Sequence, residues 1–269
     1  IVQDLSGAGA RQSGLRGGVI FSKVAQFVEK SILNRAAEIV VVSHAMRDSL
    51  IALGISAKKI SHIPNYSARK IRQCEKVSSR NRFGWNSNYF VVIHTGNMGT
   101  KQGLENVVEA SKFLESGSKI KIYLIGHGNQ ESQLKELTAK LENIEVMASV
   151  SDSDYSALLA AADLLLVNER PTQMDMSLPS KLTSYLFSNR PVLAAVPRGG
   201  ATWKYLDGVA ELVESGHPQE LADMILNLSQ NSIRRDELAK LGFEFARRNL
   251  DAEKGRARYL KWVQELIED

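Results

Sequence analysis

Apolar residues in this chain form two kinds of segment that follow each other in turn. Short runs rich in Val, Ile and Leu lie at 39–42, 60–63, 90–94, 120–125, 144–147, 163–167, 191–195 and 209–213. Longer stretches carry apolar residues every three or four positions, as at 103–115, 129–140, 153–162 and 179–188. The short runs predict buried strands, and the longer stretches predict amphipathic helices. Strands that alternate with helices indicate an α/β fold whose parallel sheet is covered on both faces.

The two ends of the chain and one internal stretch depart from this alternation. Residues 1–5 predict a strand, a glycine-rich loop follows up to Gly18, and 19–37 predicts a helix. Ser43 and Gly54 are typical start and stop residues of a helix between them. Residues 67–88 are polar without a sustained period, which favours a linker or an exposed helix, and two or three helices are expected at the C-terminus. Because the chain starts with a strand-like segment and not with Met, we expect it to begin inside a longer protein.

Composition excludes several kinds of site and partner but does not identify the function. The chain has 269 residues, 43% of them hydrophobic, and a net charge of +4 from 34 basic and 30 acidic residues. This balance is ordinary for a folded protein and gives no reason to expect a nucleic-acid partner. The single cysteine, Cys74, excludes an internal disulfide and fits a reducing compartment such as the cytoplasm. The five histidines lack metal-ligand spacing and no apolar run reaches 18 residues, so we expect no metal site and no membrane span.

The loops after the strands carry the candidate chemistry, because open parallel sheets bind ligands at the carboxyl ends of their strands. The loop after 90–94 contains Gly96, Gly99 and Lys101 just before a helix, which outlines a cradle for a diphosphate. A flexible turn with a solvated lysine explains these residues about equally well. In the loop after 120–125, Glu131 stands where a dinucleotide fingerprint needs its third glycine, so a tight strand-to-helix turn is the better interpretation there.

The loop after 163–167 is the most informative of the set. Pro179 stands in the first turn of the predicted helix and is followed by Ser180 and Lys181. Free backbone N–H groups, a hydroxyl and an ammonium would then meet at one helix start, which favours an anion. A capped helix with a surface lysine is the alternative. The glycine loop at 197–200 is better explained as an ordinary turn.

Five segments carry a recognisable family pattern: 36–65, 94–110 (HTGNMGTKQGLENVVEA), 123–130 (YLIGHGNQ), 158–167 (LLAAADLLLV) and 179–195 (PSKLTSYLFSNRPVLAA). Together and in this order they resemble the family 4 retaining glycosyltransferases, and within them the branch of colanic-acid and other exopolysaccharide transferases. Each segment is weak alone, but five at compatible spacing are specific. The resemblance implies two Rossmann-like domains that face each other across a cleft. The first domain would hold the acceptor and the second the nucleotide-sugar donor.

The resemblance also implies a domain organisation. Residues 1–66 would be the C-terminal remnant of the acceptor-side domain, and 67–88 a linker. Residues 89–248 would form the donor-binding, doubly wound Rossmann-like sheet, and 249–269 a helix that returns toward the N-terminal domain. Peripheral membrane contact would be made by the missing N-terminal region, so the expected location is the cytoplasm or the inner face of the membrane.

By the same resemblance, the donor diphosphate would lie along the first loop, and Ser180 and Lys181 would hold its distal phosphate. The residues implied for the diphosphate are Gly96, Asn97, Gly99, Lys101, Ser180 and Lys181. Those implied for the nucleoside are Gly126, His127, Met147, Ala148, Ser149 and Ser184. The predicted catalytic residues are Lys181, Glu169 and Asp175. Cations and helix N-termini would stabilise the charge on the leaving diphosphate, with no metal and no cofactor.

Four positions depart from the family pattern. Many members carry Arg at the position of Asn97 and Lys at that of Gln102. Many also carry two Glu separated by seven residues, and alignment on 189–192 puts Met176 and Ser184 there. Glu169 or Asp175 would then supply the contacts to the sugar.

The leading hypothesis is transfer of a sugar from a nucleotide diphosphate donor to a polysaccharide or lipid-linked acceptor, with retention at the anomeric carbon, in exopolysaccharide or cell-surface glycan synthesis. Two alternatives stay open. One is a donor-binding module without transferase activity, since most of the acceptor domain is missing. The other is a nucleotide-sugar epimerase of the same architecture, which would release a free epimer from the donor alone.

Overall fold

A computed structural model of the chain describes residues 1–2, 18–66, 70–114, 117–172 and 178–268, with the backbone alone at 18–26. The strands are β1 (Ile39–Val41), β2 (Ile60–His62), β3 (Phe90–Asn97), β4 (Ile120–His127), β5 (Ile144–Met147), β6 (Leu164–Asn168), β7 (Val192–Val196) and β8 (Glu211–Glu214). The helices are α1 (Gly18–Arg35), α2 (His44–Ala52), α3 (Lys76–Arg82), α4 (Glu105–Lys112), α5 (Glu131–Thr138), α6 (Asp152–Ala161), α7 (Lys181–Phe187), α8 (Ala201–Leu206), α9 (Pro218–Gln230), α10 (Ser232–Asn249) and α11 (Ala252–Glu268). All eight predicted strand runs from 39–42 onward form strands, and the C-terminus forms three helices.

Contacts divide the chain into two compact units, one built mainly from 1–66 and 249–269 and the other mainly from 67–248. The second unit contains a six-stranded parallel sheet in the order β5-β4-β3-β6-β7-β8. The chain runs outward from β3 to β5, then crosses to the other side of β3 and continues to β8. This is the strand order of the doubly wound Rossmann sheet, so the predicted fold class is confirmed.

The central strands of this sheet are mostly apolar because helices cover both faces. Val92, Ile122, Leu124 and Leu166 have no exposed surface and belong to one continuous core. Apolar residues of α4 and α9, such as Val108 and Leu221, belong to the same core.

The first unit contains a short parallel pair in which Ile39 is opposite Ile60, with Val2 bridging to Val41 on the other side of β1. The Ser43 hydroxyl accepts a hydrogen bond from the N–H of Met46 at 3.1 Å and so caps α2. Gly54 follows this helix with a φ of +87°, a conformation that favours glycine. Both predicted helix signals are therefore confirmed.

Residues 70–88 contain α3, in which Ser79 and Arg80 are buried rather than exposed. The Arg80 side chain is 4% exposed and donates to the backbone oxygens of Ala161, Ser87 and Tyr89, each at 3.0 Å. Asp163 pairs with Arg80 and also accepts the N–H of Val91 at 2.7 Å. The exposed-helix alternative for this stretch is therefore wrong at Arg80, because its guanidinium ties α3 to the amino ends of β3 and β6.

We expect Arg80→Met to lower the free energy of unfolding by about 3–5 kcal/mol, because three backbone oxygens lose a buried donor and the Asp163 carboxylate keeps only the partly exposed Lys76 as an ion-pair partner among the described residues. Arg82→Met is the matched control: the Arg82 side chain is 57% exposed, and its pair with Asp154 contributes at most about 1 kcal/mol. Urea unfolding followed by circular dichroism measures both. Equal losses in the two variants would contradict the role assigned to Arg80.

Candidate functional site

The candidate site lies where the strand order reverses. Backbone pairing between β3 and β6 ends at Ile93 and Leu165, whereas pairing between β3 and β4 continues to Asn97 and His127. In place of the missing ladder, the His94 ring contacts the Leu166 oxygen at 3.1 Å. The carboxyl ends of β3 and β6 are thus held by side chains, at the point where doubly wound sheets bind their ligands.

Asn168, the last residue of β6, makes the second of these side-chain connections. Its amide nitrogen donates to the backbone oxygens of Gln102 at 2.7 Å and Gly103 at 2.9 Å. Its amide oxygen accepts from the Asn106 amide at 2.9 Å. This buried residue therefore fixes the first loop against the end of β6.

Lys181 enters the site from the first turn of α7. Its Nζ lies 2.9 Å from Nε2 of His94. A Cβ built on Gly96 would lie 3.6 Å from Cε and 3.7 Å from Nζ of Lys181, and Gly96 has a φ of +107°. The structure therefore brings together Lys181 and Gly96, two of the residues implied for the diphosphate, with the amine directly beside the backbone of the loop.

The start of α7 differs from the prediction. The helix begins at Lys181, so Pro179 precedes its first turn rather than standing in it. Ser180 adopts a helical conformation, makes no capping bond through its side chain and is exposed. The hydroxyl of Ser180 is therefore accessible beside Lys181, but the helix has no side-chain cap.

Burial sets the electrostatics of Lys181. Desolvation lowers the pKa of its amine to about 7, and the nearby Glu169 carboxylate opposes this shift. Burial and the charge of Lys181 keep the pKa of His94 well below its usual value, so His94 is neutral near pH 7. The amine therefore changes its charge close to neutral pH, which is unusual for a lysine.

Glu169 is positioned by the neighbouring strand and helix. Its backbone N–H donates to Ala195 at 2.9 Å, and the Thr202 hydroxyl donates to its Oε1 at 2.6 Å. Glu169 is near enough to Lys181 to raise the pKa of the amine. Of the three predicted catalytic residues, Lys181 and Glu169 thus share this site, while Asp175 lies outside the described residues, as does Met176.

The first loop is closed by a side chain that departs from the family pattern. The Gly99 N–H donates to Oε1 of Gln102 at 3.1 Å across a short 3₁₀ turn. Lys101 is exposed on this turn, and its backbone oxygen accepts the Arg170 N–H at 2.9 Å. The Gln102 side chain therefore accepts a hydrogen bond within the loop. A lysine at that position could not accept this bond, because an ammonium group only donates.

The glycines after β4 allow two loops to approach each other. A Cβ on Gly126 would lie 1.8 Å from the backbone oxygen of Gly96, and one on Gly128 would lie 2.4 Å from that of Met98. The tight-turn interpretation of these glycines is therefore incomplete, because their main role is close packing against the first loop.

The residues implied for the nucleoside lie in several places around the loops. His127 and Ser149 are exposed, with Oγ of Ser149 3.1 Å from Nε2 of His127. Met147 ends β5 and Ala148 follows it. Ser184 is 8% exposed on α7. The structure thus brings His127 and Ser149 together and places Ser184 on the helix that carries Lys181.

Three residues of the site were missed as functional candidates in the sequence. They are His94, considered there only as a metal ligand, Asn168, and Tyr185, whose hydroxyl accepts the Thr95 N–H at 2.7 Å. Each is a polar or hydroxyl-bearing residue that is almost fully buried. In the sequence, each of these residues could have been noticed as a polar or hydroxyl-bearing residue within or at the end of an apolar run.

The described ranges, 1–2, 18–66, 70–114, 117–172 and 178–268, contain neither a candidate metal cluster nor a membrane-spanning helix. No group of three or more His, Cys, Asp or Glu side chains among them could hold a metal ion. No helix among them has both the length and the apolar character needed to cross a membrane.

We expect Gly126→Ala to destabilise the second unit by about 1–3 kcal/mol, because the methyl group would overlap the Gly96 carbonyl. Gly117→Ala is the control, since a Cβ there meets no atom within 4 Å. Thermal unfolding compares the two, and a melting temperature for Gly126→Ala equal to that of Gly117→Ala would contradict the packing role.

The pKa of Lys181 predicts a pH dependence of stability. Between pH 7 and pH 10.5 the unfolded chain keeps the proton on this lysine and the folded chain loses it, so the contribution of Lys181 to stability rises with pH. We expect the unfolding free energy of the wild type minus that of Lys181→Met to increase by up to about 1.4 kcal/mol per unit from pH 7 to 9. The exposed Lys240 provides the control variant Lys240→Met, whose difference from the wild type should stay flat. A flat difference for Lys181→Met as well would contradict the shift.

Comparison with known proteins identifies similar chains. A family model described as "Glycosyl transferases group 1" matches residues 75–245. The putative colanic acid biosynthesis glycosyl transferase WcaI of Escherichia coli (strain K12) is 28% identical over 254 residues, which are 89% of this chain and 61% of that protein. The alpha-galactosylglucosyldiacylglycerol synthase of Streptococcus pneumoniae is 26% identical over 145 residues, 51% of this chain and 39% of that protein. The chain therefore spans less than two thirds of the length of either relative.

Solved structures share the fold. Anabaena Alr3699/HepE in complex with UDP superposes with a TM-score of 0.82 at 18% identity, over 98% of this chain and 71% of that one. The sucrose-phosphate synthase of Thermosynechococcus elongatus superposes with a TM-score of 0.76 at 16% identity, over 91% of this chain and 62% of that one. At these identities the likeness shows the fold alone.

Proposed function

The chain belongs to the group 1 glycosyl transferases, and we propose that it binds a nucleoside diphosphate sugar and transfers the sugar, with retention, to a glycan or lipid-linked acceptor. The observation that carries the proposal is the Lys181 amine above Gly96 at the reversal point of the sheet. A cation beside a glycine loop that approaches a ligand closely suits a diphosphate. The donor would therefore lie along Gly96, Asn97, Gly99 and Lys101, with Ser180 and Lys181 at its distal phosphate.

The proposed reaction needs charge stabilisation at the leaving group. The bond between the anomeric carbon and the diphosphate oxygen breaks, and the electron pair stays on the diphosphate. The acceptor oxygen bonds to the anomeric carbon on the same face, and its proton passes to the departing diphosphate. The protonated Lys181 stabilises the developing negative charge, and Glu169 keeps that amine charged more readily. We further propose that this cation supplies the stabilisation without a metal ion and without a cofactor.

UDP is the first donor nucleotide to test, because HepE was solved with UDP and with UDP-glucose. The nucleoside would be bordered by Gly126, His127, Met147, Ala148, Ser149 and Ser184. The similarity to WcaI, which is described as a colanic acid biosynthesis transferase, supports a role in cell-surface glycan synthesis. We accordingly propose that the acceptor is reached in the cytoplasm, at the inner face of the membrane.

A second candidate function is donor binding without transfer. Asn97, Gln102 and Ser184 are uncharged, and Gln102 is used to close the first loop. When fewer charged side chains of the protein contact the donor, donor binding is retained more easily than catalysis. Catalysis requires extra stabilisation of the transition state. Formation of a glycosylated product by the full-length protein separates the two functions.

We expect this chain to bind one of UDP, GDP, ADP and dTDP selectively, and Lys181→Ala to weaken that binding about 10- to 150-fold, since a hydrogen bond to a charged group contributes about 1.5–3 kcal/mol. Lys101→Ala should cost less, because Lys101 is exposed. Lys112→Ala, on the exposed side of α4 and paired with Glu109, is the control and should bind as the wild type does. Isothermal titration calorimetry with and without EDTA measures all four proteins. A nucleotide affinity that Lys181→Ala does not change, or binding that EDTA abolishes, would contradict the proposed site.

A further inference from the structure

His94 is a buried imidazole inside a strand of apolar residues. Its ring has no exposed surface, and both ring nitrogens have partners: the Leu166 oxygen at 3.1 Å from Nδ1 and the Lys181 amine at 2.9 Å from Nε2. A carbonyl oxygen can only accept, so Nδ1 carries the hydrogen. Nε2 then presents a lone pair, and Lys181 donates to it. The backbone of β6 therefore selects the tautomer in which His94 is a hydrogen-bond acceptor.

This arrangement holds the Lys181 amine in one place. A free lysine side chain has many rotamers, and holding one costs conformational entropy. Here Nζ bonds to an acceptor that cannot move, because the acceptor is fixed to Leu166. One helical turn later, Tyr185 accepts the Thr95 N–H, so α7 is attached to β3 at two consecutive strand residues. The position of Nζ beside Gly96 is thus set before any ligand arrives.

The titratable groups around the amine come from four elements. His94 faces it from β3, and Glu169 follows β6 and raises the pKa of the amine. The hydroxyls of Tyr185 on α7 and Tyr155 on α6 meet at Oγ1 of Thr95, each at 3.2 Å. Of these, His94 is the group bonded to Nζ, and it is neutral.

We propose that His94 is a positioning residue that holds the Lys181 amine over Gly96 and presents it to the donor diphosphate. The inference rests on the proposed function, because the diphosphate is the anion that Lys181 would meet. When the amine takes up a proton on binding, the proton comes from solvent and forms an N–H bond with the lone pair of Nζ, and no other bond changes. His94 does not touch the donor, and its effect passes through Lys181.

The proton balance follows from burial of the amine. With a pKa of about 7, half of the amine is charged at pH 7 and roughly a tenth at pH 8. A bound diphosphate favours the charged form and raises the pKa of Lys181. Binding should therefore take up about half a proton at pH 7 and close to one at pH 8. UDP itself adds little to this change at pH 8. The second pKa of a terminal phosphate is about 6, so its oxygens are already deprotonated there.

The test is titration calorimetry with UDP in buffers of different ionisation enthalpy, at pH 7 and pH 8. The wild type should show the uptake given above, and Lys181→Ala should show almost none at pH 8. His94→Leu removes the acceptor, so we expect binding to weaken about tenfold. Because an ammonium without an acceptor is disfavoured, uptake at pH 7 should rise from about half a proton toward one. His94→Gln, whose amide oxygen can accept from Lys181, should restore both values.

A second variant keeps the test decisive if His94→Leu does not fold. His94→Asn can keep the bond to Leu166 through its shorter amide but cannot reach Lys181, and it should behave as His94→Leu does. Wild-type affinity and wild-type uptake in a folded Leu or Asn variant would overturn the role of His94 while leaving the proposed function intact. Absence of binding of UDP, GDP, ADP and dTDP to the wild type would instead refute the proposed function.

Discussion

The site depends on the place where the backbone ladder between β3 and β6 stops. Up to Ile93 and Leu165 the two strands satisfy each other's peptide groups, and beyond them the strands need other partners. The His94 ring donates a hydrogen bond to the Leu166 oxygen, and the Asn168 amide nitrogen donates to the oxygens of Gln102 and Gly103. These buried bonds determine how far the two strand ends separate. They also determine where the first loop lies and where Lys181 meets it.

The fold could be predicted from the sequence because its signals are local and repeated. Continuous apolar runs separated by helical spacing leave few alternatives to a parallel sheet with two covered faces. Ser43 and Gly54 act within one turn of their helix, so their effect could be seen from neighbouring residues alone. The error at Arg80 has the opposite origin. Its partners Ala161 and Asp163 lie 81 and 83 residues away along the chain, and no local pattern shows that a charged residue will be buried by such partners.

The candidate site could be predicted in part for the same reason. Glycine loops, Ser180 and Lys181 are visible as residues at strand ends and helix starts, and the structure does bring Lys181 to Gly96. The purpose of the second glycine loop could not be seen, because Gly126 is required by the backbone of Gly96 on the neighbouring strand. Gln102 is similar: in the sequence it is a lost positive charge, and in the structure its oxygen closes the loop on Gly99.

Two lysines near the first loop illustrate why burial matters more than charge count. Lys101 is exposed, so water solvates its ammonium and weakens its attraction for any anion. Lys181 is withdrawn from water beside a neutral imidazole, and its pKa falls to about 7. A charge in that setting interacts strongly with an anion because little water lies between them. A fixed charge there would destabilise the folded chain whenever the anion is missing. An amine that loses its proton near neutral pH avoids most of that cost, and the neutral acceptor at His94 keeps it in place in both states.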